Sequence, residues 1–549
     1  MQLNLAQRAA AGGGGADELV AADAVGRLLA KDAALWSDRP AVQAQITQSL
    51  GWLDVAAAMA PRWPELAAFG RSLHQEGFTD AVILGMGGSS LIALVLATVF
   101  GRGPGGLALH VLDSTEPETV RSLADRLDPA RTVFVVASKS GTTTEPAAFQ
   151  QYFWDRVARA GWDPATRFVA VTDPDTPLAV AATRGGWRRV FLNPADIGGR
   201  YSALSLFGLV PAALLGLDGA ALLDRAQALR RDLERRDASN PALALAAVLG
   251  AATRAGRDKC TLVVSPRLGP FALWLEQLLA ESTGKDGTGI VPVYEPTLGP
   301  GDSYGRDRLF VVLRLADEPP PALPLGAPAV TFALDRPEAL GAECLRWEAA
   351  VALAGRLLGI NPFDQPNVQE SKDNTRAALD GYARTGRLEM PEGAPALPAS
   401  SPVLGPVLEQ WLADLGPREY LAVMAYLPYT PAVEEALYAL QATLRDRTGR
   451  AVLVGYGPRF LHSTGQLFKG GAQVGRFLQI LADPARVPDL PVPGAGYTFN
   501  VLVTAQAYGD RRALLARRRP LVTVNTGRDP AGGVARIAAA LAEPGEVGA

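Results

Sequence analysis

The chain has 549 residues, 48% of them hydrophobic and 20% charged, with 53 Lys and Arg against 56 Asp and Glu for a formal charge of −3. That near-cancellation carries no electrostatic footprint for nucleic acid or an anionic membrane, so neither is expected as a partner. Cys260 and Cys344 are the only cysteines, which argues against a disulfide framework and for a reducing, cytoplasmic setting.

The length suggests roughly three or four domains. The N-terminal stretch through the Gly12–Gly15 run shows no charged region followed by an apolar core, so no signal peptide is expected. Residues 1–70 are assigned to an N-terminal helical segment, with 17–70 reading as helices without strand signals. Apolar runs such as Leu91 to Phe100 fall short of the ~20 residues needed to cross a bilayer. From Ala81, short β-rich runs alternate with helices. Strands are predicted at Ala81–Gly85, Ala108–Asp113, Thr132–Ser138, Arg167–Asp173 and Val190–Asn193, with helices over 117–127 and 146–160. Apolar strands alternating with helices argue for a parallel sheet covered on both faces, here over 71–218. A second set, Thr261–Ser265, Gly289–Tyr294, Leu309–Leu315 and Ala329–Leu334, predicts another such domain over 219–390. Its helices are placed at 219–236, 240–256 and 337–358. The proline-rich stretch 391–406 reads as a semi-rigid linker. Beyond it, Tyr420–Leu427, Ala451–Gly457, Phe499–Thr504 and Pro520–Thr526 are predicted strands of a C-terminal α/β domain, 407–549. The expected fold class is thus α/β, with two doubly wound parallel-sheet domains between a helical segment and a C-terminal α/β domain.

Several turns carry residue types suited to chemistry. Gly85-Met86-Gly87-Gly88-Ser89-Ser90 lets the backbone approach a ligand and offers a helix N-terminus to an anion; a tight strand–helix turn capped by serine reads equally well. In Ser138-Lys139-Ser140-Gly141-Thr142-Thr143-Thr144-Glu145, five hydroxyls and an ammonium open a helix, a nest for a phosphate dianion. The competing reading is a capping box from Thr142 to Glu145, which needs one hydroxyl and not five. Arg200, beside Gly198 and Gly199, can bring a fixed positive charge to a developing enediolate. Glu281, ending a helix over 270–281, suits a general base, although spacing alone favours an i,i+4 ion pair with Lys285. In Asn361–Lys372, Pro366 suits a first helical turn, and Gln365 and Lys372, seven apart, fall on one helical face. Of the three histidines, His74 and His110 have ordinary settings, whereas His462 lies among Ser463, Thr464 and Gly465. No His-x-His or HExxH spacing occurs, so neither a metal nor a cofactor is expected.

Taken together, Gly85–Ser89, Ser138–Glu145, Gly199–Ser202, Glu281–Lys285 and Asn361–Lys372 resemble the signatures of the glucose-6-phosphate isomerase family, over roughly residues 17 to 530. The likeness is closest to the isomerase half of bifunctional transaldolase/glucose-6-phosphate isomerase proteins, which carry a stretch similar to His462–Gln466. Only about 70 residues precede the first α/β unit, against at least ~200 for a transaldolase barrel, so the isomerase activity alone is expected. The resemblance implies two sugar-isomerase (SIS) domains and reversible isomerisation of glucose 6-phosphate and fructose 6-phosphate through a cis-enediol. It implies that Ser138, Ser140 and Thr143 hold the phosphate and that Gly88 and Ser89 line the sugar end. Glu281 then moves the proton between C1 and C2, Arg200 beside Gly199 stabilises the enediolate, Lys372 and His462 open the ring, and Gln365 hydrogen-bonds the substrate. In ordinary members the segment resembling His462–Gln466 precedes the one resembling Gln365–Lys372, and its histidine comes from a neighbouring subunit. Here the order is reversed, which would supply the histidine within one chain and leaves monomer and homodimer both open. A dual glucose/mannose 6-phosphate enzyme and a non-catalytic sugar-phosphate-binding regulator are the alternatives. The isomerase portion of a glucosamine-phosphate synthase is disfavoured, because no cysteine precedes Cys260.

Overall fold

A computed structural model describes residues 14–391, 393 and 395–542. The N-terminal stretch read as free of a signal peptide lies outside the described residues up to residue 13, as does the end of the C-terminal domain from 543. Three all-parallel sheets organise the rest. The first contains β1 (Asp80–Gly85), β2 (Ala108–Leu112), β3 (Thr132–Ala137), β4 (Phe168–Thr172) and β5 (Arg189–Leu192), in the order β2-β1-β3-β4-β5. The second contains β6 (Lys259–Val264), β7 (Val291–Tyr294), β8 (Arg308–Leu315) and β9 (Ala329–Leu334), ordered β7-β6-β8-β9. The third contains β10 (Leu397–Pro398), β11 (Tyr420–Tyr426), β12 (Ala451–Tyr456), β13 (Gly475–Leu481) and β14 (Leu521–Asn525), ordered β10-β14-β13-β11-β12.

Strands such as β3, buried along its whole length, are what a parallel sheet with helices on both faces requires. In the first sheet the strand order reverses at β1 and β3. The crevice beyond their carboxyl ends is where such sheets bind ligands. Gly85 and Ala137 are register partners there, so the Gly87–Ser89 turn and the hydroxyl-rich turn after Ala137 flank that crevice.

One apolar core joins the N-terminal helices to both central sheets, through Trp52, Leu91, Leu214, Leu275 and Val351 among others. The third sheet has its own core around Leu421, Leu440, Val452 and Leu478. It also shares clusters with the rest of the chain: Ala280 and Val293 pack with Tyr420 and Phe468, and Phe149 packs with Phe499 and Leu502. Buried charge ties the same seams. Glu295 accepts from Arg308 and from Arg445, both at 3.2 Å; Asp113 takes Arg459 at 2.8 and 2.9 Å; and Arg486 pairs with Glu116 and Glu118.

The C-terminal region differs from the sequence reading at two places. Phe499–Thr504, expected as a strand, opens the helix Phe499–Ala516. Thr498 caps it by accepting from Val501 N at 3.2 Å, and the buried positions Phe499, Leu502, Val503 and Gln506 follow a helical period despite the β-branched composition. The strand that completes the sheet is β13, GRFLQIL, which pairs with both β11 and β14. Within the proline-rich stretch, Leu397 and Pro398 pair with Val524 and Asn525 at the edge of the third sheet.

Candidate active site

The helix Thr144–Arg159 begins where the hydroxyl-rich turn ends, with Thr143 at its N-cap making no side-chain cap bond. The Thr143 hydroxyl therefore does not occupy the helix's first N–H groups, and the positive end of the helix dipole faces the hydroxyl-rich turn. Gly141 turns the chain at φ +65°, a conformation glycine adopts without strain. Ser138 Oγ lies 3.0 Å from Thr143 Oγ1, and Thr142 donates from its hydroxyl to Ser140 Oγ at 3.0 Å. Lys139 turns away, pairing with Asp173 and donating to Ala195 O at 2.9 Å.

Ser140, Thr142, Thr143 and Thr144 line a cavity of about 200 Å³ together with Lys372, Arg376 and His462. Lys372 and Arg376 reach it from the helix Pro366–Thr385, which starts with Pro366 in its first turn. His462 ends the short 3-10 turn Arg459–His462 that follows β12. Two cations and an imidazole thus face the hydroxyls across one opening.

Glu145 forms no capping box. Its carboxylate is buried, with His462 Nε2 at 2.9 Å and Gln506 Nε2 at 2.7 Å from the same Oε1. Burial works to raise this carboxyl, but the charge and hydrogen bond of His462, with Lys372 nearby, outweigh it and hold Glu145 below the ordinary glutamate value.

A second cluster adjoins the first. Glu281, 7% exposed, sits in the last turn of the helix Gly269–Thr283 and accepts from Gln277 Nε2 at 3.1 Å. The same Nε2 donates to His462 O at 2.8 Å, which links the base candidate to the histidine turn. Arg200 Nη1 lies 3.6 Å from Glu281 Oε1. The guanidinium is fixed by Ser282 Oγ at 2.8 Å, Gln365 Oε1 at 2.9 Å, Pro362 O at 2.7 Å and Asp364 O at 3.0 Å. Lys285, the partner that spacing suggested for Glu281, bonds Asn361 O at 2.9 Å and Asp364 Oδ1 at 2.7 Å instead. Burial and the charge of Arg200 push its ammonium down to about 8. Gly88 stands between the clusters: a Cβ there would come within 2.0 Å of Gly199 O, so the two glycine turns touch through their backbones. Ser202 Oγ donates to Gly199 O at 2.6 Å, and Ser89 is buried in the same turn.

The structure therefore places Glu281, Arg200, Gln365, Gly88 and Gly199 in one cluster, in which Glu281, Arg200 and Gly88 are buried and Gln365 lies at the exposed edge. Ser140, Thr143, Lys372 and His462 surround the neighbouring cavity, and Gln277 bridges the two. Glu145, Gln277, Arg376 and Gln506 escaped the sequence reading; only Glu145 had a signal, as a carboxylate in the hydroxyl-rich motif. Among the described residues no group of His, Cys, Asp and Glu could hold a metal ion, and no helix is long and apolar enough to cross a membrane.

A family model described as phosphoglucose isomerase matches residues 70–291. The chain is similar to glucose-6-phosphate isomerase of Rubrobacter xylanophilus, with 30% identity over 372 residues covering 57% of this chain and 84% of the relative. It is also similar to the corresponding enzyme of Symbiobacterium thermophilum, at 32% over 397 residues, covering 60% and 86%. Among solved structures, a hypothetical protein of Thermus thermophilus superposes with a TM-score of 0.55 at 27% identity, covering 66% of this chain and 95% of the other. A glucose-6-phosphate isomerase from Chlamydia trachomatis shares the fold with a TM-score of 0.52 at 20% identity, covering 70% and 81%.

Proposed function

The chain belongs to the glucose-6-phosphate isomerase family and isomerises phosphosugars, and on that premise we propose that it interconverts glucose 6-phosphate and fructose 6-phosphate through a cis-enediol with Glu281 as the general base. A hydrogen alpha to a carbonyl is weakly acidic, so a carboxylate that removes it needs charge stabilisation of the enediolate nearby. The observation that carries the reading is the buried Glu281 carboxylate with the immobilised Arg200 guanidinium 3.6 Å away.

In this mechanism the substrate phosphate occupies the hydroxyl-rich turn, opposite Lys372 and Arg376. Binding energy spent there orients the reacting carbons. Lys372 and His462 exchange protons with the ring oxygen and the anomeric hydroxyl to open the sugar. Glu281 then takes the proton from C2 of the aldose and returns it to C1 of the ketose, while Arg200 compensates the negative charge that develops on the two oxygens. A sugar-phosphate-binding regulator has no use for Glu281 and Arg200 as a pair. A coupled assay with fructose 6-phosphate in EDTA tests the proposal. Turnover is expected; tight binding without turnover would favour the regulator.

A further inference from the structure

The carboxylate that holds His462 is itself held by a residue of the C-terminal unit. Gln506, on the helix Phe499–Ala516 and 2% exposed, donates from Nε2 to Glu145 Oε1 at 2.7 Å. Its other amide atom, Oε1, accepts from Thr115 Oγ1 at 2.6 Å. The direction of the amide is set by chemistry: an ionised carboxylate only accepts, so the NH₂ must face Glu145, and the oxygen is left to Thr115, which has a proton to give. Thr115 is fully buried just beyond β2, so this relay is anchored in the first sheet's core.

We infer that Gln506 is a positioning residue for ring opening, fixing the Glu145 carboxylate against His462. The inference rests on the ring-opening role proposed above for His462. A neutral donor suits the task. It orients the carboxylate and stabilises its charged form, whereas a lysine or arginine in its place would compete with the imidazole for the negative charge. Glu145 Oε1 receives both bonds, so the imidazole and the amide are fixed to one atom. The titratable groups facing Glu145 are His462 from the turn after β12, Lys372 from the helix Pro366–Thr385, and Tyr497 just before the helix that carries Gln506.

Gln506→Met keeps the shape and removes the donor. With fructose 6-phosphate its kcat is expected to fall roughly ten-fold or more, with KM changed little, since proton transfer by a positioned group is worth ~10²–10⁴-fold and only its alignment is lost. Without the bond to the charged form, Glu145 takes up its proton at higher pH, so the acid limb of kcat/KM moves to higher pH. The 5-deoxy analogue of the ketose phosphate lacks the hydroxyl that closes the ring and needs no opening. Exchange of its C1 hydrogen with solvent is expected to proceed at the parental rate in Gln506→Met. A merely structural role would depress both substrates equally. That equal loss, or an unshifted acid limb in a variant that melts like the parent, overturns the inference. Should Gln506→Met fail to fold, Thr115→Val frees the amide from the other side and is expected to give the same split in smaller degree. Glu281→Gln separates the two readings: it stops both substrates if the base is correctly assigned. If it does not, the general-base reading fails, while the contrast between cyclic and open substrates still decides the role of Gln506.

Discussion

Glu281→Gln is the perturbation that bears most directly on the chemistry, because it removes a base and little else. The carboxamide occupies the same volume, and its oxygen can still accept from Gln277 Nε2, now at 3.1 Å. Arg200 loses an ionic neighbour at 3.6 Å but keeps hydrogen bonds to Ser282, Gln365, Pro362 and Asp364, so the guanidinium stays where it is. The melting temperature is therefore expected to change by only a few degrees. General-base catalysis contributes ~10²–10⁴-fold, and among the described residues Glu281 is the one carboxylate that pairs with Arg200. A fall in kcat of about 10³-fold is expected, equivalent to about 4 kcal/mol in the barrier. KM for fructose 6-phosphate is expected to stay within a few-fold, because the phosphate-binding turn is untouched. The assay couples glucose 6-phosphate formation to its oxidation, alongside exchange of the C1 hydrogen of fructose 6-phosphate with solvent. Retention of a tenth or more of parental turnover would refute the assignment, and so would a loss explained by unfolding in the melt.

Gly88→Ala places a methyl group 2.0 Å from the Gly199 carbonyl. Two backbones must then separate, and a destabilisation of about 2 kcal/mol with loss of turnover is expected in urea titration and assay. Glu276 is buried in the seam with the C-terminal unit, and burial pushes its carboxyl up to about 8. The fold keeps this proton while the unfolded chain releases it near 4.5, so the group lowers stability as pH rises between those values. Glu276→Gln is accordingly expected to gain about 3 kcal/mol on the parent between pH 4.5 and 7; an equal difference at both ends of the range would count against it. His462 reaches Glu145 and Gln277 of its own chain, so mixing inactive Glu281→Gln with inactive His462→Ala chains is expected to restore nothing. Activity recovered on mixing would show that the histidine is shared between subunits.

The central sheets were legible because their strands announce themselves as short apolar runs bounded by glycine and hydroxyl-rich turns. β1 and β3 show this best, with the turns that follow them carrying the binding motifs. The C-terminal sheet was harder. FNVLVT has strand-like composition, yet Thr498 caps it and the apolar positions continue at helical spacing as far as Gln506. GRFLQIL escaped because the glycine-rich and charged residues before it masked a strand that neighbours bury on both faces. In each case the surrounding structure overrode a local preference.

The site divides along similar lines. Lys139 looked like a phosphate ligand because an ammonium beside hydroxyls suggests one, but Asp173 and Ala195, brought in by the β4 side of the sheet, claim it. Glu145 looked like a cap because the spacing from Thr142 fits a capping box; its partners lie 317 and 361 residues away, beyond the reach of any local pattern. The C-terminal unit supplies both of those partners, and its docking explains how it holds them in place. Glu295, Asp113 and Glu116 are buried carboxylates whose arginines come from that unit. Removing one side of such a pair leaves an uncompensated charge in the interior, which costs far more than an exposed pair contributes. The seams must therefore stay closed for the fold to tolerate its own charges, and a closed seam is what keeps His462 and Gln506 on Glu145. The third unit is in this sense part of the site's framework and not an appendage to a finished enzyme.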